Sequence, residues 1–285
     1  MTDIREAATV MVVRDAPDLH VFMLRRNLNA DFVGGAYVFP GGAVDDADRA
    51  PELLARCVGR DDAQASRLLG VGAGGLGFWV AAIRETFEEA GVLFALDRRT
   101  GEPVVGGSEE LDLTRLAIGR REEAFLEFVE RDDLVLDAGA LHVFSHWITP
   151  QGMPRRYDTR FFVAHAPEGH GYAHDDAETV ASAWVRPTQA IADAERGEFQ
   201  IIFPTMKNLE AIGRFDTAAE LLEVTGAASA VDAVEPRIVK DANGIRLLLP
   251  GDPGYDDAPA LPDDALGPVP VEALRGAAWR GERGA

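Results

Sequence analysis

The fold is most readily predicted from residues 78–91, FWVAAIRETFEEAG. At about 100° per residue, a helix over this stretch places Glu85, Glu88 and Glu89 within an arc of roughly 100°. The apolar residues of the opposite side are Trp79, Ile83, Phe87 and Ala90. Gly91 follows the last of them, and glycine commonly ends a helix in the left-handed conformation. The pattern predicts an amphipathic helix with one carboxylate face.

This carboxylate face is unfavourable for an isolated helix, because like charges three and four residues apart repel one another. A divalent cation removes the repulsion, and Mg²⁺ is held by a few carboxylates together with waters and substrate phosphates. The alternative is a solvated acidic face, which is the usual role of a charge run. Arg84, directly before the cluster, and the glycine turn at 36–42 (AYVFPGG) favour the metal site.

The segment 84–92, RETFEEAGV, matches the second half of the Nudix box, G-x5-E-x7-REUxEExGU with U apolar, and the chain therefore resembles the Nudix hydrolases. Residues 42–48 resemble the first half, with Asp48 where the family has glutamate. The short spacer of the box is replaced by residues 49–83. This insertion, with RRNLNADFVGGAYVFPGG before it and RRYDTRFF after it, is similar to the coenzyme A diphosphatase branch typified by the peroxisomal enzyme.

The resemblance implies an α/β class fold, a Nudix-type α/β/α sandwich in which a mixed β-sheet lies between helices. We expect a Nudix domain over residues 1–225 with insertions at about 49–77 and 97–131. The first insertion is expected to form a lid or a packing flap. The second carries helical periodicity over 113–131. Residues 226–285 are predicted to form a C-terminal extension with a short β-hairpin, because Ala-Asn-Gly lies between two apolar runs.

For activity, the resemblance implies hydrolysis of a nucleoside diphosphate-linked compound, foremost coenzyme A or an acyl-CoA, to 4′-phosphopantetheine and adenosine 3′,5′-bisphosphate. Mg²⁺ or Mn²⁺ would be held by Glu85, Glu88 and Glu89, and Arg84 would orient these glutamates through a salt bridge. The general base would be Glu178, or one of the glutamates of the helix.

Substrate contacts are expected from glycines and arginines. Gly41 and Gly42 let the backbone approach the phosphates closely, since glycine has no Cβ. Two nearly continuous apolar runs, 7–13 and 20–25, predict strands covered on both faces. The candidate phosphate anchors are Arg25 and Arg26 at the end of the second run, and Arg155, Arg156 and Arg160 around a later hairpin. Guanidinium groups suit the oxygens of a diphosphate because they bind in a bidentate manner. The alternative for both groups is ordinary surface charge.

Composition narrows the class of partner. The net charge of −20 argues against nucleic-acid binding and means that an anionic substrate must be attracted locally. No apolar run approaches the length of a membrane span, and the N-terminal residues do not have the pattern of a signal peptide. We therefore expect a cytoplasmic protein that binds a small molecule and no membrane. Dimers are common among Nudix relatives, so a homodimer is an option that the sequence leaves open.

Three alternatives remain at this stage. A Nudix pyrophosphatase acting on ADP-ribose or NADH would use the same chemistry with a different pocket. A non-catalytic Nudix-fold ligand sensor is disfavoured by the complete glutamate set. A structural module would leave the clustered carboxylates without a purpose.

Overall fold

A computed structural model of the chain describes residues 4–27, 34–172, 179–241, 244–262 and 265. The strands are β1 (Ile4–Asp15), β2 (Leu19–Arg26), β3 (Tyr37–Val38), β4 (Gly41–Ala43), β5 (Cys57–Val58), β6 (Ala95–Asp97), β7 (Leu134–Asp137), β8 (His142–Ile148), β9 (Arg156–His165), β10 (Thr179–Val185), β11 (Ala233–Val234), β12 (Arg237–Asp241) and β13 (Gly244–Leu248). The helices are α1 (Pro51–Leu54), α2 (Asp62–Leu69), α3 (Leu76–Ala90), α4 (Glu109–Gly119), α5 (Phe125–Arg131), α6 (Pro187–Glu195), α7 (Phe203–Ile212) and α8 (Ala218–Gly226).

The main sheet has the strand order β10-β2-β1-β9-β8-β11, with β3 beside β2 and β4 beside β1. Strand β1 runs parallel to β9, so that Ala8 lies opposite Arg160. The same strand pairs antiparallel with β2 and with β4, where Ala8 lies opposite Gly42. The sheet is therefore mixed, and β1 connects the glycine turn to the strand that carries Arg160.

Both faces of the sheet are covered by helices. Alternate residues of β1 enter two separate cores, with Val10 and Val12 packing on the side of α3 and Met11 and Val13 on the side of α7 and α8. This division follows from the two-residue period of a strand. The predicted α/β/α sandwich is confirmed. None of the helices in the described part of the chain is long and apolar enough to cross a membrane.

The two insertions fold together. Strand β5 of the first insertion pairs parallel with β7, with Cys57 opposite Leu136. Strand β6, which precedes the second insertion, pairs antiparallel with β7, with Ala95 also opposite Leu136. A small three-stranded sheet thus joins the segments before and after α3 into one body.

The prediction of one helical stretch over 113–131 is wrong in its boundaries. Helix α4 begins earlier, after Ser108, whose hydroxyl accepts a hydrogen bond from the backbone N–H of Leu111. It ends at Gly119, and α5 starts only at Phe125. Between them Arg121 has φ 59°, the left-handed conformation, which ends the helical hydrogen-bond pattern.

The C-terminal part of the chain packs on the edge of the main sheet. Strand β11 lies parallel to β8, and Glu235 directly after it accepts a 2.5 Å hydrogen bond from Arg156. The hydroxyl of Tyr255 donates to the carbonyl of Glu235, and the guanidinium of Arg237 lies over the Tyr255 ring. Strands β12 and β13 form a hairpin where the sequence predicts one. Strand β11 therefore covers an edge of β8 that would otherwise expose unpaired backbone groups.

Candidate active site

Helix α3 turns its apolar side into the core and its glutamates away from it. Trp79, Ile83 and Phe87 are fully buried, whereas the carboxylate-bearing residues are only half-buried. Gly91 has φ 65°, and its N–H donates to the carbonyl of Phe87. The predicted helix and its glycine stop are confirmed, with the start two residues earlier than predicted.

Arg84 forms a hub in which one guanidinium holds three carboxylates. Its Nη1 lies 2.7 Å from Glu85 Oε1 and 3.1 Å from Glu88 Oε1. Its Nε and Nη2 each lie 2.8 Å from an oxygen of Asp48, and Nη2 also donates to the carbonyl of Ala43. The arginine thus forms the salt bridge to the helix glutamates that its position predicts.

Asp48 has a larger role than the sequence indicates. Its Oδ2 accepts a hydrogen bond from the N–H of Asp45. Asp48 is only 1% exposed and binds Arg84 with both of its carboxylate oxygens. The signal that locates this residue is its distance from Gly42, since it occupies the glutamate position in the first half of the Nudix box.

The glycine turn fits against the glutamates. The N–H of Gly41 donates to Glu89 Oε2 over 2.9 Å. A Cβ added to Gly42 would lie 2.5 Å from the Glu85 carboxyl carbon and 2.6 Å from both of its oxygens. Only glycine leaves room for Glu85 at this position, so the turn and the helix define one site.

The hub carries an excess of negative charge, since one guanidinium cannot neutralise three carboxylates. Burial raises the pKa of Glu85 to about 7, and this effect, with the charge of Glu88, outweighs the opposing effect of Arg84. Burial likewise raises the pKa of Glu88, again against the effect of Arg84. A bound cation would favour the ionised forms of both side chains.

The raised pKa of Glu85 predicts a pH dependence of the metal-free protein. The folded state holds this proton to a higher pH than the unfolded chain, whose ordinary value is 4.5. Because the unfolded state therefore binds fewer protons, the free energy of unfolding falls as the pH rises from about 4.5 to about 7, by about 3 kcal/mol in total. Urea unfolding at several pH values in the presence of EDTA would measure this change in the free energy of unfolding. Glu85→Gln should flatten the slope, whereas Glu102→Gln, on an exposed loop, should not.

The donor chemistry of the site fits a hard divalent cation, since its ligands are carboxylate oxygens. Among the residues that the structure describes, no three His, Cys, Asp or Glu side chains converge as a ready metal cage. Mg²⁺ does not require one, because it is usually bound through one or two carboxylates plus waters and substrate phosphates. Glu85, Glu88 and Glu89, beside a turn that lacks side chains, meet this requirement.

The first pair of predicted phosphate anchors lies at the end of β2. Arg25 lies opposite Tyr37 on one side and Ala181 on the other. Arg26 lies opposite Thr179, the first residue of β10. The candidate base Glu178 would directly precede Thr179 but lies outside the described residues.

The second group of predicted anchors does not form one cluster. Arg156 is buried and donates to the carbonyl of Thr149 and to Glu235. Arg160, also buried, pairs with Asp158 and lies over the ring of Phe78. Their Cα atoms are about 13 Å apart along the strand. Arg155 is exposed, just before β9 begins.

Comparison with known proteins agrees with this geometry. The profile of the family described as the NUDT19 Nudix domain matches residues 61–212, a range that contains α3 and begins after Asp48. The acyl-coenzyme A diphosphatase NUDT19 of Gallus gallus is 29% identical over 304 residues, covering 90% of this chain and 80% of the relative. The protein of the same name from Homo sapiens is 29% identical over 276 residues, covering 84% of this chain and 73% of the relative.

A solved structure supports the same assignment. The crystal structure of a NUDIX hydrolase from Alicyclobacillus acidocaldarius is similar with a TM-score of 0.66 and 28% identity, and the match covers 79% of this chain and 97% of that chain. The family match extends over more than half of the chain and includes α3 with Arg84 and its glutamates. The chain therefore belongs to the NUDT19 family of Nudix hydrolases.

Proposed function

We propose that this Nudix hydrolase cleaves the diphosphate of coenzyme A or an acyl-CoA to 4′-phosphopantetheine and adenosine 3′,5′-bisphosphate. The observation that carries the proposal is the contact of the Glu85 carboxylate with Gly42, which joins the two halves of the box into one site. The choice of substrate rests on the relatives named acyl-coenzyme A diphosphatase.

In the proposed mechanism, the chain's own residues position the substrate and the attacking water. Arg84 holds Glu85 and Glu88 in place, and the N–H of Gly41 fixes Glu89. A bound Mg²⁺ or Mn²⁺ would polarise the phosphoryl oxygens and lower the pKa of water. Glu178, or one of the glutamates of the helix, would accept the proton of the water.

Local positive charge must offset the overall charge of −20 when an anionic substrate approaches. Of the predicted arginines, we keep Arg25 and Arg26 as phosphate contacts, and a contact from Arg155 stays a prediction. Arg156 and Arg160 already hold carboxylates of the chain itself. Binding phosphate with them would require breaking buried ion pairs, which is costly.

A substrate panel tests the proposal directly. Purified protein with Mg²⁺ would be incubated with CoA, acyl-CoA, ADP-ribose, NADH and dinucleoside polyphosphates, and the products separated by chromatography. Release of adenosine 3′,5′-bisphosphate from CoA is the expected result. Cleavage of another diphosphate alone would preserve the chemistry and reject the CoA pocket. No cleavage at all, with Mn²⁺ also tried, would favour a ligand sensor.

Metal binding makes a separate prediction about stability. Mg²⁺ at about 100 times its dissociation constant should stabilise the wild-type protein by about 2.7 kcal/mol. Glu88→Gln and Glu89→Gln should remove most of this stabilisation, since each replaces a charged ligand by a neutral one. Thermal unfolding with and without Mg²⁺ measures the effect, and Glu102→Gln is the matched control. An unchanged magnesium response in both glutamine variants would contradict the assignment of these ligands.

Homodimer formation and cytoplasmic location stay predictions. Light scattering coupled to size exclusion would decide the first, and imaging or fractionation of the producing cell the second.

A further inference from the structure

The candidate catalytic helix α3 has no side-chain cap of its own. The residue before it, Gly75, has no side chain, and the first turn contains no acidic residue. Its last turn contains no basic residue either. The first N–H groups of a helix need partners from outside it. At the other end, the N–H groups of Gly91 and Val92 donate to the carbonyls of Phe87 and Thr86 but not to that of Glu88.

The first insertion supplies the partners at the N-terminal end. Asp62 of α2 accepts hydrogen bonds from the N–H of Leu76 and of Gly74, both over 3.0 Å. The hydroxyl of Ser66, one turn further along α2, accepts from the N–H of Gly75, also over 3.0 Å. These bonds, above all the one from Leu76, lower the pKa of Asp62. A carboxylate here also interacts favourably with the helix dipole.

The fit at this end is close. A Cβ added to Gly75 would lie 2.5 Å from the backbone nitrogen of Ser66. One added to Gly77 would lie 2.7 Å from Cγ of Arg49, which follows the glycine turn in the chain. The first turn of α3 is thus held between Ser66 of α2 and the side chain of Arg49.

The second insertion supplies the partner at the C-terminal end. Arg115 of α4 is 7% exposed, and its Nη1 donates to the backbone carbonyl of Glu88 over 3.2 Å. Its Cδ and Nε lie 3.6 Å from the place where a Cβ on Gly91 would be. A positive charge at a helix C-terminus is stabilising, and this one contacts the turn that carries two of the candidate metal ligands.

We propose that the two insertions act as one clamp on the catalytic helix, and that Asp62 and Arg115 are positioning residues of the active site. The two ends of the clamp are mechanically linked, because β5 of the first insertion pairs with β7 after the second. The proposal rests on the metal site of the proposed function. Positioning matters here because Glu85 lies very close to Gly42, so a small shift of helix α3 would displace the Glu85 carboxylate.

Two truncating variants test the clamp, each with a conservative partner. Asp62→Ala removes both acceptors, whereas Asp62→Asn keeps one carbonyl oxygen. Arg115→Met keeps most of the buried volume without a donor, whereas Arg115→Lys keeps the charge and a donor. The controls weaken the inserted helices without touching α3. They are Asp61→Ala, which removes the acceptor of the Gln64 N–H at the start of α2, and Ser108→Ala, which uncaps α4.

The decisive measurement is the Mg²⁺ concentration that gives half of the maximal rate of CoA hydrolysis, called here the magnesium constant. It is measured at a temperature well below the unfolding midpoint of every variant. Loss of a group that orients metal ligands costs 10–100-fold in metal affinity or activity. For these more distant contacts we expect the magnesium constant to rise about 3- to 10-fold in Asp62→Ala and Arg115→Met. The rise should be smaller in Asp62→Asn and Arg115→Lys. The KM for CoA should change less. Unchanged magnesium constants, or an equal rise in the controls, would overturn the proposal.

A second measurement keeps the clamp separate from the proposed function. Hydrogen exchange of residues 76–91 requires neither metal nor substrate and reports local opening. Faster exchange in Asp62→Ala and Arg115→Met than in the two controls would support the clamp. Equal exchange would overturn it. A wild-type protein that neither responds to Mg²⁺ nor cleaves CoA would reject the proposed function, and the exchange rates alone would then decide the clamp.

Discussion

Replacing Asp48 with alanine is expected to abolish hydrolysis and to lower the free energy of unfolding by about 3–5 kcal/mol, the usual cost of removing one partner from a buried ion pair. The side chain of Arg84 is 11% exposed and that of Asp48 1%. Without Asp48, the guanidinium would lose two of its hydrogen bonds in a site that excludes most water. It would also be free to turn, and Glu85 and Glu88 would lose their orientation.

Urea unfolding and the kcat for CoA would measure the two effects in the same preparation. Asp46→Ala is the matched control, because Asp46 lies in the same 3₁₀ helix (Asp46–Arg49) and is exposed. Asp48→Glu restores the residue of the Nudix box and should keep most of the activity, since it retains the carboxylate. An Asp48→Ala variant with wild-type kcat would show that Arg84 orients the glutamates without this partner.

Replacing Gly42 with alanine is expected to lower kcat by about 10²-fold or more, because a displacement of about 1 Å in a catalytic group can have this effect. The added methyl group would lie 2.5 Å from the Glu85 carboxyl carbon, so the side chain of Glu85 must move. The fold should tolerate the change, because the group that moves is the end of a flexible side chain.

The neighbouring glycine separates a catalytic effect from a folding effect. Gly41 has φ 153°, and a Cβ there would collide with the backbone of Ala8 and Thr9. Gly41→Ala should therefore destabilise the pairing of β4 with β1, whereas Gly42→Ala should mainly affect kcat and the magnesium constant. Gly72→Ala, with nothing within 4 Å, is the neutral control. Equal thermal destabilisation by the Gly41 and Gly42 variants would contradict this distinction.

The sequence alone determined the features that depend on local patterns. The 3.6-residue period and Gly91 predicted α3, because burial of one helix face and the left-handed glycine stop are encoded within a few residues. The nearly continuous apolar runs 7–13 and 20–25 predicted strands covered on both sides. The order Arg84, Glu85, Glu88, Glu89 placed the candidate site on one helix face.

Only the tertiary structure decided which distant residues complete the site. Asp48 and Arg84 meet because the 3₁₀ helix after the glycine turn packs on α3. Arg115 reaches Glu88, and Arg156 reaches Glu235, across long stretches of chain. No local pattern encodes these pairings, since they depend on how separate elements pack. The same reason explains why β5 of the first insertion meets β7, which follows the second insertion, in one small sheet.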